Sequence, residues 1–478
     1  MSDTQNNGQR ATDHGQPFTF AANFAACYDN FSDTKMFSQH AAERFSAFQF
    51  HMIDQVQTTR LPNGLTVLTE LMPGLRSVTI GIWVRRGSRH ETTELNGICH
   101  FIEHAVFKGT TRRTAMDIAV ESDRLGGNFD AFTTHEMTGF SMKVVDTALP
   151  QAFDLISDML AHPRFDEEDL QREQKVIIEE MKMVEDTPDE FLGELFNAAF
   201  FPNHPLGLPI EGTAETVSSF NRDKTFSYHR SEYSPRNLII AAAGNVDHAL
   251  LVELAARVFD ESVAVESSVA SNHSETTRPA PAAPILIERK KELEQAHLII
   301  AAPWPDAHSE ARYAGSLLAN ILGGGTSSRL WQSIREERGL AYSVGAGAHA
   351  YTDTGVFSIY AGTSPEQLDE VLDLSLQELR RLVREGVSED ELKLVKDQAV
   401  SSILLSLESS SVRAGTLARQ EIVHGKRITP DEMIRRLEAV TSEQVQEIAR
   451  KHFTTEAMAL GALGDLNGFS VDRARLEI

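Results

Sequence analysis

Two histidines and a glutamate stand close together in the run Leu95-Asn96-Gly97-Ile98-Cys99-His100-Phe101-Ile102-Glu103-His104-Ala105-Val106-Phe107-Lys108-Gly109. Ile98, Phe101, Ile102, Ala105 and Val106 recur at helical spacing, and Gly109 suits the left-handed position that ends a helix. On such a helix His100 and His104, four apart, point to one face and can close on one ion, with Glu103 projecting near the same point. Burying three ionisable side chains among apolar ones is costly unless they find a partner. One zinc ion satisfies all three. The plainer alternative, two solvated histidines and a surface glutamate, conflicts with the apolar flanks.

The order H-x-x-E-H reverses the commoner zinc-protease motif and is the arrangement called an inverzincin. With its surroundings, from Asn96 to Thr110, it resembles the metal helix of the M16 family of zinc peptidases. The likeness runs from about residue 52 to 470, and the two-half length is similar to the processing-peptidase branch rather than the double-length branch. The resemblance implies a third metal ligand on a later helix, about 76 residues after the second histidine, which falls on Glu180. It implies Glu173, two turns earlier on the same face, as an outer acid that steers a ligand histidine, while Glu179 turns away into solvent. It further implies that zinc lowers the pKa of a bound water, and that Glu103 is not a ligand but the general base that moves the proton to the leaving amine.

Further positions follow from the same resemblance. Ile334-Arg335-Glu336-Glu337-Arg338-Gly339-Leu340-Ala341-Tyr342-Ser343 looks like the family's distal substrate motif. Arg335 would hold the substrate backbone, with Arg338 its competitor for that role, and the Tyr342 hydroxyl would steady the tetrahedral oxyanion. Gly126-Gly127-Asn128-Phe129-Asp130-Ala131-Phe132-Thr133 resembles the edge strand that pairs with substrate, giving Asp130 and Ala131 as substrate contacts. Many relatives have Asn where Asp130 stands, so a contact there would gain a charge. Gly323-Gly324-Gly325-Thr326-Ser327-Ser328-Arg329 has the look of a phosphate loop but lacks the Gly-Lys-Ser/Thr ending, and nucleotide binding is not expected. Cys99 is expected as a packed core thiol, and His204 in Asn203-His204-Pro205-Leu206-Gly207 as part of a turn.

The elements that must position these residues are legible in outline. Extended runs occur at 65–69, 77–84 and 237–244, and helical patterns near 95–108, 114–125, 148–161 and 167–187. Residues 261–284 break the pattern with Ser, Val, Ala, Thr and three prolines, as a linker would. On both sides of it an extended run, a Pro-started helix and an acid-capped helix recur: Leu149-Pro150 and Asp166-Glu167 before, Ser364-Pro365 and Ser388-Glu389 after. The fold class expected is α+β, two homologous α/β halves, each a sheet with helices packed on it, enclosing a cavity. The expected division is an arm at 1–51, a domain at 52–260 carrying the metal site, the linker at 261–284 and a second domain at 285–478 carrying Arg335 and Tyr342. The arm is Phe-rich, without a secretory or transit pattern, and Met52 is an alternative start.

Composition narrows the partners. Asp and Glu number 69 against 45 Lys and Arg, a net charge of −24, which repels phosphate backbones and anionic lipid heads. Neither nucleic acid nor a membrane is expected as a partner, and no apolar run is long enough to span a bilayer. A basic or amphipathic peptide is the complementary substrate. Two cysteines, Cys27 and Cys99, build no disulfide framework and suit a reducing compartment, with a bacterial cytoplasm expected and a mitochondrial matrix as the alternative. The reading is a peptidase with one Zn2+ per chain, as a homodimer or as a heterodimer with a degenerate sister. The rival reading is a non-catalytic partner subunit, against which stand the intact metal helix and Arg/Tyr pair.

Overall fold

A computed structural model of the chain describes residues 55–259, 278–466 and 468–478. The arm at 1–51, Cys27, Met52 and most of the 261–284 linker lie outside the described residues. The first sheet is built from β1 (Val56–Arg60), β2 (Thr66–Leu71), β3 (Ser77–Val84), β4 (Asn128–Thr133), β5 (Thr138–Val145) and β6 (Leu238–Gly244). Its order is β1-β2-β6-β3-β5-β4. The second sheet is built from β7 (Ile285–Arg289), β8 (Ala296–Pro303), β9 (Ala341–Ala350), β10 (Gly355–Thr363) and β11 (Ala459–Gly464), in the order β7-β11-β8-β10-β9. Without β1 the two sheets match strand for strand: β2 lies parallel to β6 as β7 does to β11, and the remaining pairs are antiparallel. The fold is α+β with a repeated sheet, as expected.

The first half adds helices α1 (Ile98–Ala105), α2 (Ala115–Leu125), α3 (Leu149–Ala161), α4 (Glu167–Asp186), α5 (Pro188–Phe200), α6 (Ala214–Ser218), α7 (Arg222–Glu232) and α8 (His248–Val258). The second adds α9 (Ala311–Gly323), α10 (Leu368–Glu385), α11 (Glu389–Ser406), α12 (Ser410–His424), α13 (Pro430–Glu438) and α14 (Ser442–His452). None of the described helices is long and apolar enough to cross a membrane.

Strand alternation explains how the layers stack, because successive side chains point to opposite faces. Val78, Ile80, Ile82 and Val84 of β3, with Leu238, Ile240 and Ala242 of β6, join the main core of the first half with α1 and α3. The other face of the same strands, Trp83, Ile239, Ala241 and Ala243, meets Ala414, Leu417 and Ala418 of α12, a helix from the second half. The exchange is reciprocal. Ile299 and Ala301 of β8 and Ala459 and Leu463 of β11 are covered by Leu192, Phe196 and Phe200 of α5, a helix from the first half. Polar groups pin the exchanged helices: Thr79 and Ser410 share a 2.8 Å hydroxyl contact, and the buried Glu421 of α12 accepts from Arg60 at 2.6 Å and Arg85 at 3.0 Å.

Candidate metal centre

Helix α1 is short and apolar, so its start needs outside support. Gly97 precedes it at φ 93°, in the left-handed region, and a Cβ there would lie 2.4 Å from the Glu211 carbonyl oxygen, so only glycine fits. The first N–H groups of a helix have no partner within it. Here the buried Glu91 carboxylate takes them, accepting from Gly97 N at 2.7 Å and Cys99 N at 2.8 Å, with the Asn96 amide at 3.3 Å. Burial pushes the Glu91 carboxyl up to about 7 against these bonds.

Across from α1 lies α4, whose entry is favoured by Glu167, Glu168 and Asp169 in its first turn. Its buried residues Leu170, Glu173 and Ile177 form one stripe, and Glu180 continues it three residues on. This stripe brings the expected ligands together: donor atoms of His100, His104 and Glu180 all lie within 4.8 Å of one another. The two imidazoles meet edge to face at 4.6 Å, and His104 Nε2 is 3.6 Å from Glu180 Oε2. Glu173 reaches the other ring nitrogen, His104 Nδ1, at 3.3 Å, and its second oxygen pairs with Lys108 at 2.7 Å. Glu179 points away, paired with the exposed Lys182.

The charges around this group fit a cation. Burial pushes the Glu173 carboxyl up, but the hydrogen bonds from His104 and Lys108 outweigh it and hold it below the usual carboxylate range. Burial lowers His104, yet the Glu173 hydrogen bond and the charges of Glu180 and Glu103 raise it overall. Two imidazoles and a carboxylate are a donor set that zinc takes readily, and a carboxylate behind a ligand histidine is the usual means of fixing its tautomer.

Glu103 is turned to a neighbouring pocket lined by His100, Ala131, Phe132, Thr133, Ile210 and Glu211. It accepts a 2.6 Å hydrogen bond from Thr133 at the end of β4. Burial pushes its carboxyl up to about 7, opposed by the Thr133 bond and His104 and assisted by Glu180 and Asp130. Such a group takes and releases protons near neutrality. Asp130 and Ala131 are thus beside the site, on a strand whose pairing among the described residues is with β5 alone. A second acidic group adjoins the pocket. On α5, burial pushes Glu194 up to about 8, helped by Glu211, Glu185 and Glu190.

Arg335 and Tyr342 pack against each other. Arg335 donates to the Tyr342 carbonyl at 2.5 Å and stacks between Trp331, 4.1 Å away, and the Tyr342 ring at 5.1 Å. Tyr342 is 78% exposed. Arg338 binds the Ser333 carbonyl and Glu337. Cys99 is a packed thiol, 3.2 Å from the Tyr228 hydroxyl. His204 caps its own turn, Nδ1 accepting from Leu206 N at 3.0 Å. Glu91 and the acids of α5 carry no motif in the sequence; a carboxylate just ahead of a helix lacking a capping residue is the one signal that points to Glu91.

Residues 66–214 match the family described as Insulinase (Peptidase family M16), and residues 219–399 match the Peptidase M16 inactive domain. An uncharacterized zinc protease of Streptomyces coelicolor is 39% identical over 404 residues, 84% of this chain and 88% of that protein. One of Bacillus subtilis is 40% identical over 399 residues, 83% of this chain and 96% of that protein. Among solved structures, a protease from Helicobacter pylori superposes with a TM-score of 0.79 at 21% identity, over 86% of this chain and all of that one (100%). A peptidase M16 inactive domain from Pseudomonas fluorescens gives 0.78 at 22%, over 86% and 98%. At such identities these two structures show a shared fold.

Proposed function

This chain belongs to the M16 family of zinc peptidases, and we propose that it is an endopeptidase of the processing-peptidase-like branch, hydrolysing basic or presequence-like peptides held between its two halves. The observation that supports this most is the convergence of His100, His104 and Glu180 donor atoms within 4.8 Å, with Glu103 beside them. His100, His104 and Glu180 would hold zinc, with Glu173 fixing His104. Zinc bound there supplies a Lewis acid that polarises a peptide carbonyl and makes water a better nucleophile at neutral pH. Glu103, beside the ligands, would accept a proton from the attacking water and deliver it to the leaving amine. The open side of β4 would pair with an extended substrate backbone beside Asp130 and Ala131. From the second half Arg335 would hold the substrate backbone, and the Tyr342 hydroxyl would donate to the oxyanion. The acids gathered round Glu194 favour a basic side chain next to the scissile bond, in keeping with the −24 net charge.

The test is cleavage of a basic amphipathic peptide by wild type and Glu103→Gln, each with its zinc quantified. About one zinc per chain in both, with activity in the wild type alone, supports the reading. Zinc in a wild type that cuts nothing replaces it with the partner-subunit reading, and a wild type that binds no zinc overturns the ligand set.

A further inference from the structure

A buried arginine connects the second half of the chain to the start of the metal helix. Arg89 is 3% exposed. Its Nη2 donates to Asp353 at 2.7 Å, and its Nη1 donates to Glu136 at 2.7 Å and to Thr352 at 3.1 Å. Glu136 lies in the turn between β4 and β5, whereas Thr352 and Asp353 lie in the turn between β9 and β10 of the second sheet. Thr352 binds Glu136 directly as well, through its amide at 3.0 Å and its hydroxyl at 2.7 Å. One guanidinium thus closes a contact between turns from the two halves.

The segment carrying Arg89 is itself fixed at both ends to catalytic elements. Ser88 N and Arg89 N donate to the carbonyls of Thr134 and His135 at 3.1 and 2.9 Å, and the Ser88 hydroxyl meets His135 Nδ1 at 2.8 Å. Two residues after Arg89, the Glu91 carboxylate holds the first N–H groups of α1. At the near end of the β4–β5 turn, Thr133 holds Glu103. A buried guanidinium is costly to leave unpaired, and its planar fork holds partners in fixed directions. If the β9–β10 turn withdraws, Arg89 must follow it or lose Asp353 and Thr352, and its pull on the backbone between the β4–β5 turn and Glu91 changes.

We propose that Arg89 is a positioning residue that couples the seating of the second half against the first to the placement of the metal helix and of Glu103. The effect on turnover rests on the peptidase reading; the mechanical coupling does not. The test is amide hydrogen exchange, with and without zinc, on wild type, Asp353→Asn and Thr352→Val, with Asp369→Asn as a control. Asp369, at the start of α10, pairs with Arg475 within the second half and makes no bond to Arg89. The expected result is roughly tenfold faster exchange at Gly97, Cys99 and Phe101 in both turn variants, in the range of ordinary coupling between sites, and none in the control. On a cleaved peptide kcat falls while KM holds, and Asp353→Glu recovers part of the loss. Loosening confined to residues 351–355, with 97–105 exchanging as in wild type, overturns the proposal. Transmitted loosening in a protein that cleaves no peptide keeps the coupling and removes only the peptidase reading.

Discussion

Replacing Glu91 with glutamine should change stability in a way that depends on pH. The carboxyl presents two oxygens to Gly97 N and Cys99 N, whereas the amide presents one oxygen and turns its NH2 toward the other N–H. One buried donor left without an acceptor costs about 1–3 kcal/mol. Near pH 5 that is the whole difference, because a carboxyl lifted to about 7 is protonated in the native chain. A carboxyl whose native value exceeds its unfolded 4.5 binds its proton more tightly when folded, so its contribution to stability falls as pH climbs from about 4.5 through about 7. At about 1.4 kcal/mol per tenfold, the wild type loses roughly 3 kcal/mol across that window and the glutamine chain does not. Glu91→Gln should therefore be the weaker protein at pH 5 and equal or stronger at pH 8. Urea denaturation of both zinc-free proteins, with m-values compared, measures this. A difference that is the same at both pH values, or largest at pH 8, would refute the assignment of a buried, protonatable cap.

Four further outcomes are expected. Glu173→Gln removes the charge behind His104 and should weaken zinc binding about 10- to 100-fold, read by competition with a chromophoric chelator; an unchanged affinity would mean Glu173 does not orient the ligand. Phe196→Ala should cost about 3–5 kcal/mol in denaturant unfolding, since the ring is buried between α5 and the second sheet, and a loss below about 1 kcal/mol would show that the exchanged helix contributes little. Tyr342→Phe should lower kcat about a hundredfold with zinc content unchanged, and near-normal turnover would strike the hydroxyl from the mechanism. Assayed above about pH 8, where the Glu194 carboxyl is ionised, Glu194→Gln should reduce kcat/KM for an arginine-bearing peptide about tenfold relative to a neutral analogue, and equal losses on both would remove the charge argument.

What could be read from sequence was local. The i, i+4 histidines with apolar flanks identify α1, and the alternation in Ser77–Val84 gives β3 with its observed bounds. Expected helices at 114–125 and 148–161 form as Ala115–Leu125 and Leu149–Ala161, and the acid-capped start at Asp166-Glu167 opens α4. Glu180 has no local signature; family spacing alone indicates it, and the stripe Leu170, Glu173, Ile177, Glu180 explains why that spacing works. Glu91, Arg89 and the exchanged helices escape a pattern reading for a common reason. Their partners are hundreds of residues away or lie across a turn, and a single carboxylate or arginine has no period. Ala414, Leu417 and Ala418 look like an ordinary amphipathic face, and nothing in their spacing says that the surface they cover belongs to the other half.

That exchange of helices has a consequence for how the protein is made. Translation completes the first sheet with Gly244, yet Trp83, Ile239, Ala241 and Ala243 remain without their cover until Ser410–His424 has left the ribosome. At roughly 5–20 residues per second, the nascent chain spends many seconds with an apolar sheet face open to solvent, an interval in which chaperone capture and aggregation compete with folding. For the same reason, cutting the gene between the halves should give two polypeptides that are poorly soluble when expressed alone and recover when made together, each fragment providing the helix that the other lacks.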